Sequence, residues 1–363
     1  MKIGHSRRRR ARSGTTGAIN ERRAVKLVVL AWPAVSPPLD NPYVNCLYEA
    51  VRNEGIEVKN FSWWRALTDE FDVLHMHWPD WVLRNSGLTK SLLKLAALTV
   101  IVARAQIVGA AVVWTVHNLH PHDFHGPVRE RLLYCLLARV VDVQIHLSAA
   151  TEKVMRLENH PARGGSVTVI PHGLYPLPQG FRESRSAAKH SARISFLGTV
   201  GPYKGVTRLL SEVKALTGSV NLLIAGQPIS HSYAEEVRAS AAAVDDVELV
   251  LHRLTEDEYY TFLSKTDLAV YPFVSGLNSG AVIKALGAGV PVLVPRTLTF
   301  EELRDTFRSV WVQCYDGELN AEILEAAIQV IQDAPLAPPN LPDWDWTSIG
   351  LKTANLYRQL RVG

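Results

Sequence analysis

The sequence has 363 residues and a mass of 40.2 kDa, which at roughly 150 residues per domain predicts two domains. Hydrophobic residues make up 47% and charged residues 20%, so the composition excludes disorder for the bulk of the chain. The three cysteines lie far apart and form no Cys-x-x-Cys pair, which disfavours a disulfide scaffold and a cysteine-based zinc site.

The net charge of +4 is unevenly distributed. Residues 1–23 hold eight basic residues and one acidic residue, a net +7, which leaves −3 for the rest of the chain. Because the folded part is not basic, nucleic acid is not expected as a partner. We predict a disordered basic tail over residues 1–24, which either stays solvated or attaches to an anionic membrane surface.

Strand-like and helix-like patterns alternate along the first half. Residues 24–35 follow arginines but are short, contain a proline and lack a cleavage pattern, so they predict a buried first strand and not a signal peptide. Residues 88–113 are apolar but interrupted by three cations, so we expect a helix that packs on a sheet or lies on a membrane without spanning it. The predicted strands are 26–32, 58–61, 73–76, 111–116, 143–147 and 167–170, with helices at 45–53, 88–106 and 127–138.

The second half repeats this rhythm after a segment rich in proline, glycine and serine, residues 171–191, which reads as a linker. Continuous apolar strands between helices predict parallel sheets covered on both faces. The fold class is therefore α/β, with two Rossmann-like domains that bind ligands in the cleft at the carboxyl ends of their strands. The predicted strands here are 193–197, 220–225, 247–251, 268–271, 290–294 and 310–313.

Two strand–loop–helix units of the second half carry anion-binding features. Ser279 is a good N-cap and Gly280 leaves the backbone N–H groups of a helix start uncovered, while Lys284 follows one turn later. An ordinary helix with a surface lysine is the alternative. The second unit is the glycine-containing turn 198–205, where Lys204 adds a positive charge. Its spacing fits neither a Walker loop nor Gly-x-Gly-x-x-Gly, which disfavours a dinucleotide oxidoreductase.

Taken in order, segments 196–205, 222–226 and 267–292 resemble the nucleotide-sugar domain of GT-B glycosyltransferases. Segments 114–118 (Trp-Thr-Val-His-Asn) and 169–173 (Val-Ile-Pro-His-Gly) are similar to acceptor-domain motifs of that superfamily. The histidine-rich segments 75–80 and 117–123 make the chain most similar to bacterial exopolysaccharide, xanthan-type mannosyltransferases. The resemblance covers about residues 25–360.

This resemblance implies a GT-B arrangement in which each domain has its own task. It divides the chain into an acceptor-binding domain (25–173), a linker (174–192), a nucleotide-sugar domain (193–342) and a helix crossing back to the first domain (343–363). It implies donor contacts from the loops after the second-domain strands, where Arg253 could equally be a solvated surface residue. The predicted donor-binding residues are Gly198, Lys204, Gly226, Gln227, His252, Arg253, Leu254, Tyr271, Asn278, Ser279, Gly280 and Lys284.

The sequence departs from the large retaining GT-B family at the two glutamates of its Glu-x7-Glu motif. Lys284 stands at the second glutamate, and the first aligns near Gly276. We infer that Lys204, Lys284 and the amides at Ser279–Gly280 hold the donor phosphates and that transfer inverts the sugar. No Asp-x-Asp lies in a donor-side loop, so we expect no cofactor and no metal, and we interpret the Asp-Trp-Asp at 343–345 as a helix start.

Histidines and tryptophans dominate the acceptor-side motifs, where core histidines or a zinc site are the alternatives to a sugar cleft. His117 is expected near the donor sugar. Asp80 is expected as the base that takes the acceptor proton, with Asp123 and His120 as rivals, although Asp80 could instead cap a helix. The predicted acceptor-binding residues are His75, His77, Trp78, His120 and His122, and the predicted catalytic residues are Asp80, His117 and Asp123.

The resemblance thus implies an enzyme that moves mannose from GDP-mannose to a lipid-linked oligosaccharide in bacterial exopolysaccharide synthesis. It would be cytoplasmic, peripheral on the inner face of the plasma membrane, and independent of metal. The alternatives are a UDP-sugar-dependent transferase, a noncatalytic protein of this fold that binds sugar nucleotides or polysaccharide, and a two-domain sugar-nucleotide epimerase.

Overall fold

The computed structural model describes residues 26–37, 41–83, 87–120, 126–181, 191–216, 220–273, 277–333 and 340–362. The predicted basic tail and part of the predicted linker lie outside these residues. The first domain is a six-stranded parallel sheet in the order β2-β1-β3-β4-β5-β6. Its elements are β1 (Val28–Trp32), α1 (Tyr43–Asn53), β2 (Glu57–Asn60), α2 (Trp63–Thr68), β3 (Val73–Met76), α3 (Leu88–Val108), β4 (Ala111–Val116), α4 (Pro127–Val140), β5 (Val143–His146), α5 (Ala150–Leu157) and β6 (Ser166–Val169).

The second domain is also a six-stranded parallel sheet, in the order β12-β11-β10-β7-β8-β9. This order reverses between β7 and β10, which makes a crevice at that point. Its elements are β7 (Ala192–Leu197), α6 (Val206–Lys214), β8 (Val220–Ala225), α7 (His231–Ala241), β9 (Val247–Val250), α8 (Glu256–Ser264), β10 (Leu268–Val270), α9 (Gly280–Gly287), β11 (Val292–Pro295), α10 (Leu298–Phe307), β12 (Val312–Tyr315) and α11 (Ala321–Asp333).

A final helix, α12 (Trp346–Val362), returns to the first domain and packs against α1. Ile349, Ala354 and Tyr357 of α12 are fully or almost fully buried among apolar side chains of α1 and the first sheet. The Asp345 carboxylate accepts a hydrogen bond from the Ser348 amide at 2.9 Å, as expected for the start of this helix. The predicted α/β fold, with two facing Rossmann-like domains and a helix that crosses back, is confirmed.

The sequence did not predict α3 as a membrane-spanning helix. By length and composition alone, however, α3 is long and apolar enough to cross a membrane. A core helix of a soluble protein passes the same test. One face packs on the first sheet through residues such as Leu98, Ile101 and Ala105, which are buried. The opposite face is apolar and exposed, so α3 is an unevenly covered helix and not a core helix buried on all sides.

Candidate active site in the interdomain cleft

A cavity of about 560 Å³ lies between the two domains. It is lined from the first domain by the loops after β1, β3 and β4, and from the second by those after β7 and β10. Because all these strands are parallel within their sheets, their carboxyl ends bring distant segments together at the point where the order of each sheet reverses. Ten predicted site residues line it: Trp78, His117, Gly198, Lys204, Leu254, Tyr271, Asn278, Ser279, Gly280 and Lys284.

Lys204 supplies a positive charge to the second-domain wall. It ends a short 3₁₀ turn, Pro202–Lys204, and its ammonium lies 4.1 Å from the centre of the Phe273 ring. Burial lowers the pKa of Lys204 to about 8, since the charged form loses hydration. Within the described residues no carboxylate pairs with it. The side chain is therefore a cation suited to an anionic ligand.

Helix α9 directs its amino-terminal end into the same cavity. The Ser279 hydroxyl caps the helix by accepting a hydrogen bond from the Val282 amide at 3.4 Å. A cap of this kind satisfies one backbone donor, and the others at the first turn remain available to an anion. Lys284, one turn further on, is almost fully buried, with its ammonium 4.3 Å from the centre of the Tyr259 ring. Two lysines and a helix end thus converge on one cavity.

The partner of Lys284 was not identified from the sequence. Glu256 Oε1 lies 2.6 Å from Lys284 Nζ, and Glu256 also lines the cavity. Glu256 is the first residue of α8, whose start is marked by a complete capping box between Thr255 and Glu258. The pattern Thr-Glu-Asp-Glu could have identified the helix start, but not the contact with a lysine on another helix.

The first-domain wall is built around His117, the residue after the end of β4. Its ring stacks on Trp78 with centroids 4.4 Å apart and meets the edge of Tyr43 at 4.8 Å. The Asn278 side-chain amide donates a hydrogen bond to the His117 carbonyl at 3.1 Å, which joins the two domains across the cleft. Burial holds the pKa of His117 well below its ordinary value, so the ring is neutral near pH 7.

A second contact between the domains involves Glu302 of α10. Its carboxylate accepts hydrogen bonds from the Ser148 hydroxyl at 2.6 Å and from the amides of Ala149 and Ala150 at 2.9 and 2.8 Å. These groups form the amino-terminal end of α5, where the helix dipole favours a negative charge. Glu302 therefore acts as an N-terminal cap supplied by the other domain.

Several predicted acceptor-side residues lie away from the cavity. His75 is fully buried with both ring nitrogens within hydrogen-bond distance of hydroxyl groups, and His77 lies between it and His117, so neither touches the cleft. Asp80 is buried in the 3₁₀ turn Pro79–Val82 and does not line the cavity. None of these three residues lines the cavity, and His77 is connected to it through His117.

His120 lies in a separate cavity of about 780 Å³ beside α4 and α5, and its ring contacts Glu130 at 2.6 Å and Glu158 at 3.3 Å. His122 and Asp123 lie outside the described residues. On the donor side, four residues are not among those that line the interdomain cavity: Gly226, Gln227, His252 and Arg253. His252 pairs with Glu258 at 3.1 Å on the surface. Gly226 belongs instead to the turn that supports Gly198, against which it packs closely.

Across the described part of the chain, no group of three or more His, Cys, Asp or Glu side chains is arranged to hold a metal ion. Asp343 pairs with Lys352 at 2.8 Å, and Asp345 caps α12. The Asp-Trp-Asp segment therefore performs a structural role at a helix start.

The chain is similar in sequence to known glycosyltransferases. A family model described as "Glycosyl transferases group 1" matches residues 191–333. A GDP-mannose:glycolipid 4-beta-D-mannosyltransferase from Xanthomonas campestris pv. campestris is 30% identical over 312 residues, which cover 85% of this chain and 86% of the relative.

Solved structures show the same fold at low identity. Sucrose-phosphate synthase from Thermosynechococcus elongatus matches with a TM-score of 0.65 and 16% identity, covering 93% of this chain and 99% of that one. Anabaena HepE in complex with UDP matches with a TM-score of 0.59 and 13% identity, covering 93% and 97%. The chain therefore belongs to the GT-B glycosyltransferases, in one family with the Xanthomonas mannosyltransferase, and is an enzyme that transfers a sugar.

Proposed function

We propose that the enzyme transfers mannose from GDP-mannose to a lipid-linked oligosaccharide in bacterial exopolysaccharide synthesis. The Xanthomonas relative is named for this donor and for a glycolipid acceptor. The observation that carries the donor half is the convergence of Lys204, Lys284 and the start of α9 on one interdomain cavity. Two ammonium groups and a helix end suit the two phosphates of a nucleoside diphosphate.

The same groups account for catalysis without a metal, which we also propose. When the bond to the sugar breaks, the leaving nucleoside diphosphate gains negative charge. Preorganised cations and backbone amides stabilise that charge more in the transition state than in the bound donor. Glu256 would have to release Lys284, or share it, when the diphosphate binds.

We further propose that transfer inverts the anomeric centre. GDP-mannose carries its mannose in the α configuration, and the relative is named for a β linkage. A single displacement that converts α to β requires a base for the acceptor hydroxyl. Asp123 remains our candidate for that base, because Asp80 does not line the cavity.

The donor assignment predicts selective stabilisation by guanine nucleotides. GDP-mannose and GDP should raise the melting temperature, and a ligand at 100 times its Kd adds about 2.7 kcal/mol to the free energy of unfolding. UDP, UDP-glucose and UDP-glucuronate serve as matched controls, each measured with and without EDTA. Transfer is then followed with lipid-linked oligosaccharide, and the anomeric configuration of the product is read by NMR. Stabilisation by UDP sugars alone would assign the enzyme to another donor, and loss of transfer in EDTA would contradict metal independence.

We propose that the enzyme is cytoplasmic and lies on the inner face of the plasma membrane through the exposed side of α3. Leu93 and Ile107 on this helix are 66% and 85% exposed, and Val128 on the neighbouring α4 is 71% exposed. Contiguous exposed apolar side chains of this kind mark an interaction surface, and Lys90 and Lys94 on α3 suit anionic headgroups. A lipid-linked acceptor makes a membrane the fitting partner for this face.

The membrane surface predicts which substitutions release the enzyme from lipid. The double variant Leu93→Gln/Ile107→Gln should lower co-sedimentation with phosphatidylglycerol-containing vesicles by about tenfold or more, because two side chains of this size contribute roughly 3–6 kcal/mol when buried. Leu351→Gln on α12, which is 45% exposed, is the matched control and should sediment like the unsubstituted enzyme. Equal sedimentation of the double variant would remove α3 from the membrane contact.

A further inference from the structure

A chain of buried hydrogen bonds runs from helix α12 to the cleft. Its contacts in order are Tyr357 Oη to His75 Nδ1 at 2.5 Å, Tyr48 Oη to His75 Nδ1 at 3.0 Å, Tyr48 Oη to His77 Nε2 at 2.6 Å, and His77 Nδ1 to His117 Nε2 at 3.1 Å. A branch connects His75 Nε2 to the Thr115 hydroxyl at 2.8 Å. His117 is the member of this chain that lines the interdomain cavity.

All members of the chain are neutral near pH 7. Burial lowers the pKa of His75 to about 3 and holds the pKa values of His77 and His117 well below their ordinary range. Burial also raises the pKa values of the phenols of Tyr48 and Tyr357. A neutral imidazole has one N–H donor and one bare acceptor nitrogen, so each contact in the chain constrains the next.

The contacts fit one direction along the whole chain. Tyr357 is the closest phenol to His75 Nδ1, at 2.5 Å, so we assign its hydroxyl as the donor to Nδ1, with His75 Nε2–H donating to the Thr115 hydroxyl at 2.8 Å. The Tyr48 hydroxyl also lies within hydrogen-bond reach of Tyr357. With the lone pair of His75 Nδ1 occupied, we assign the Tyr48 proton to His77 Nε2, its shorter imidazole contact at 2.6 Å. His77 therefore carries its proton on Nδ1 and donates it to His117 Nε2.

We propose that Tyr48 is a positioning residue that, through His77, fixes His117 as the Nδ1–H tautomer. With Nε2 accepting from His77, the remaining nitrogen of His117 carries a proton. Within the described residues Nδ1 has no hydrogen-bond partner, and the ring lines the cavity. His117 thus offers a donor to a substrate oxygen and cannot remove a proton from an acceptor at that nitrogen. The base of the reaction must be another group.

His77 and His117 have different tasks, although both belong to histidine-rich motifs of the sequence. His117 contacts the substrate, whereas His77 and Tyr48 act through it. Tyr357 connects the helix that crosses back to the chain, so displacement of α12 would also release the tautomer of His117. The tautomer of His117 does not depend on which nucleotide sugar is the donor. If the tautomer assignment proves wrong, the proposed function still stands.

The test is the ¹⁵N spectrum of the full-length enzyme labelled at histidine, with His117 assigned by the signals lost in His117→Gln. We expect a protonated Nδ1 and an unprotonated Nε2 in the unsubstituted enzyme. In Tyr48→Phe the two signals should move towards those of a tautomer mixture, and kcat/KM should fall about tenfold, the effect of one lost hydrogen bond. Tyr315→Phe removes a buried phenol of β12 outside the chain and should change neither.

A protonated Nε2 at His117 in the unsubstituted enzyme would overturn the proposal, and this result needs no variant to fold. Unchanged His117 signals in a folded Tyr48→Phe would overturn it as well. Tyr357→Phe gives a second route, because it frees His75 Nδ1 to accept from Tyr48. Its His117 signals should shift in the same direction as those of Tyr48→Phe, and a shift confined to His75 would contradict the proposed coupling.

Discussion

Replacing Lys204 by alanine is expected to lower kcat/KM for the nucleotide-sugar donor by about 10²–10³-fold, the usual effect of removing one preorganised group that stabilises developing charge. The side chain lies beside Phe273 in the interdomain cavity, and no carboxylate in the described part of the chain competes for it. Lys214→Ala, on the exposed side of α6, is the matched control and should leave kcat/KM unchanged. Steady-state kinetics with varied donor concentration measure both variants.

The lowered pKa of Lys204 gives this prediction a second readout. Burial lowers the pKa to about 8, so the ammonium is present below pH 8 and is lost as the pH rises above it. A bound diphosphate raises this pKa again, so the Kd for GDP should increase up to about tenfold per pH unit above pH 8. Lys204→Arg keeps its charge at these pH values and should flatten the profile. A Kd that is independent of pH in the unsubstituted enzyme would contradict a phosphate contact at Lys204.

Replacing Gly226 by alanine is expected to lower the free energy of unfolding by about 3–5 kcal/mol, the range of overpacking combined with backbone strain. Gly226 follows β8 with φ +148°, and a Cβ there would lie 1.7 Å from the carbonyl oxygen of Gly198. A backbone atom cannot move aside as a flexible side chain can. The turn that contains Gly198 forms part of the cavity wall, so donor affinity should fall as well.

Gly317→Ala separates backbone strain from overpacking, because Gly317 has φ +71° but open space around it. Strain alone should cost that variant about 1–2 kcal/mol. The urea midpoints of both variants are compared by circular dichroism and tryptophan fluorescence. If Gly226→Ala unfolds at the same urea concentration as Gly317→Ala, close packing of the two turns does not limit this position.

The sequence patterns predicted the fold well because strands buried on both faces of a parallel sheet are continuous apolar runs. The predicted segments 73–76, 111–116 and 220–225 coincide with β3, β4 and β8, and the other strand boundaries differ by at most two residues. Such runs are set by local composition and do not depend on distant contacts. The start of α9 was also predictable, since an N-cap serine followed by glycine determines local backbone geometry.

The acceptor side was less predictable because tertiary contacts decide which side chains reach the cleft. His75 and His117 each belong to a histidine-rich motif, but Tyr48 and Tyr357 cover His75 from helices far away in the sequence. Glu256 reaches Lys284 across 28 residues, a contact that neither local pattern contains. Residue type indicated the chemistry of these segments, but packing determines which of their side chains reach the cleft.

The contact between Glu302 and the start of α5 has a consequence for turnover. It is a charge–dipole contact at a partly exposed position, so dissolved ions weaken it, with a Debye length of about 8 Å at physiological ionic strength. Product leaves a two-domain enzyme when its cleft opens. Opening of the cleft would break this contact, so we expect the opening rate, and with it the residence time of the product, to depend on the salt concentration around the enzyme.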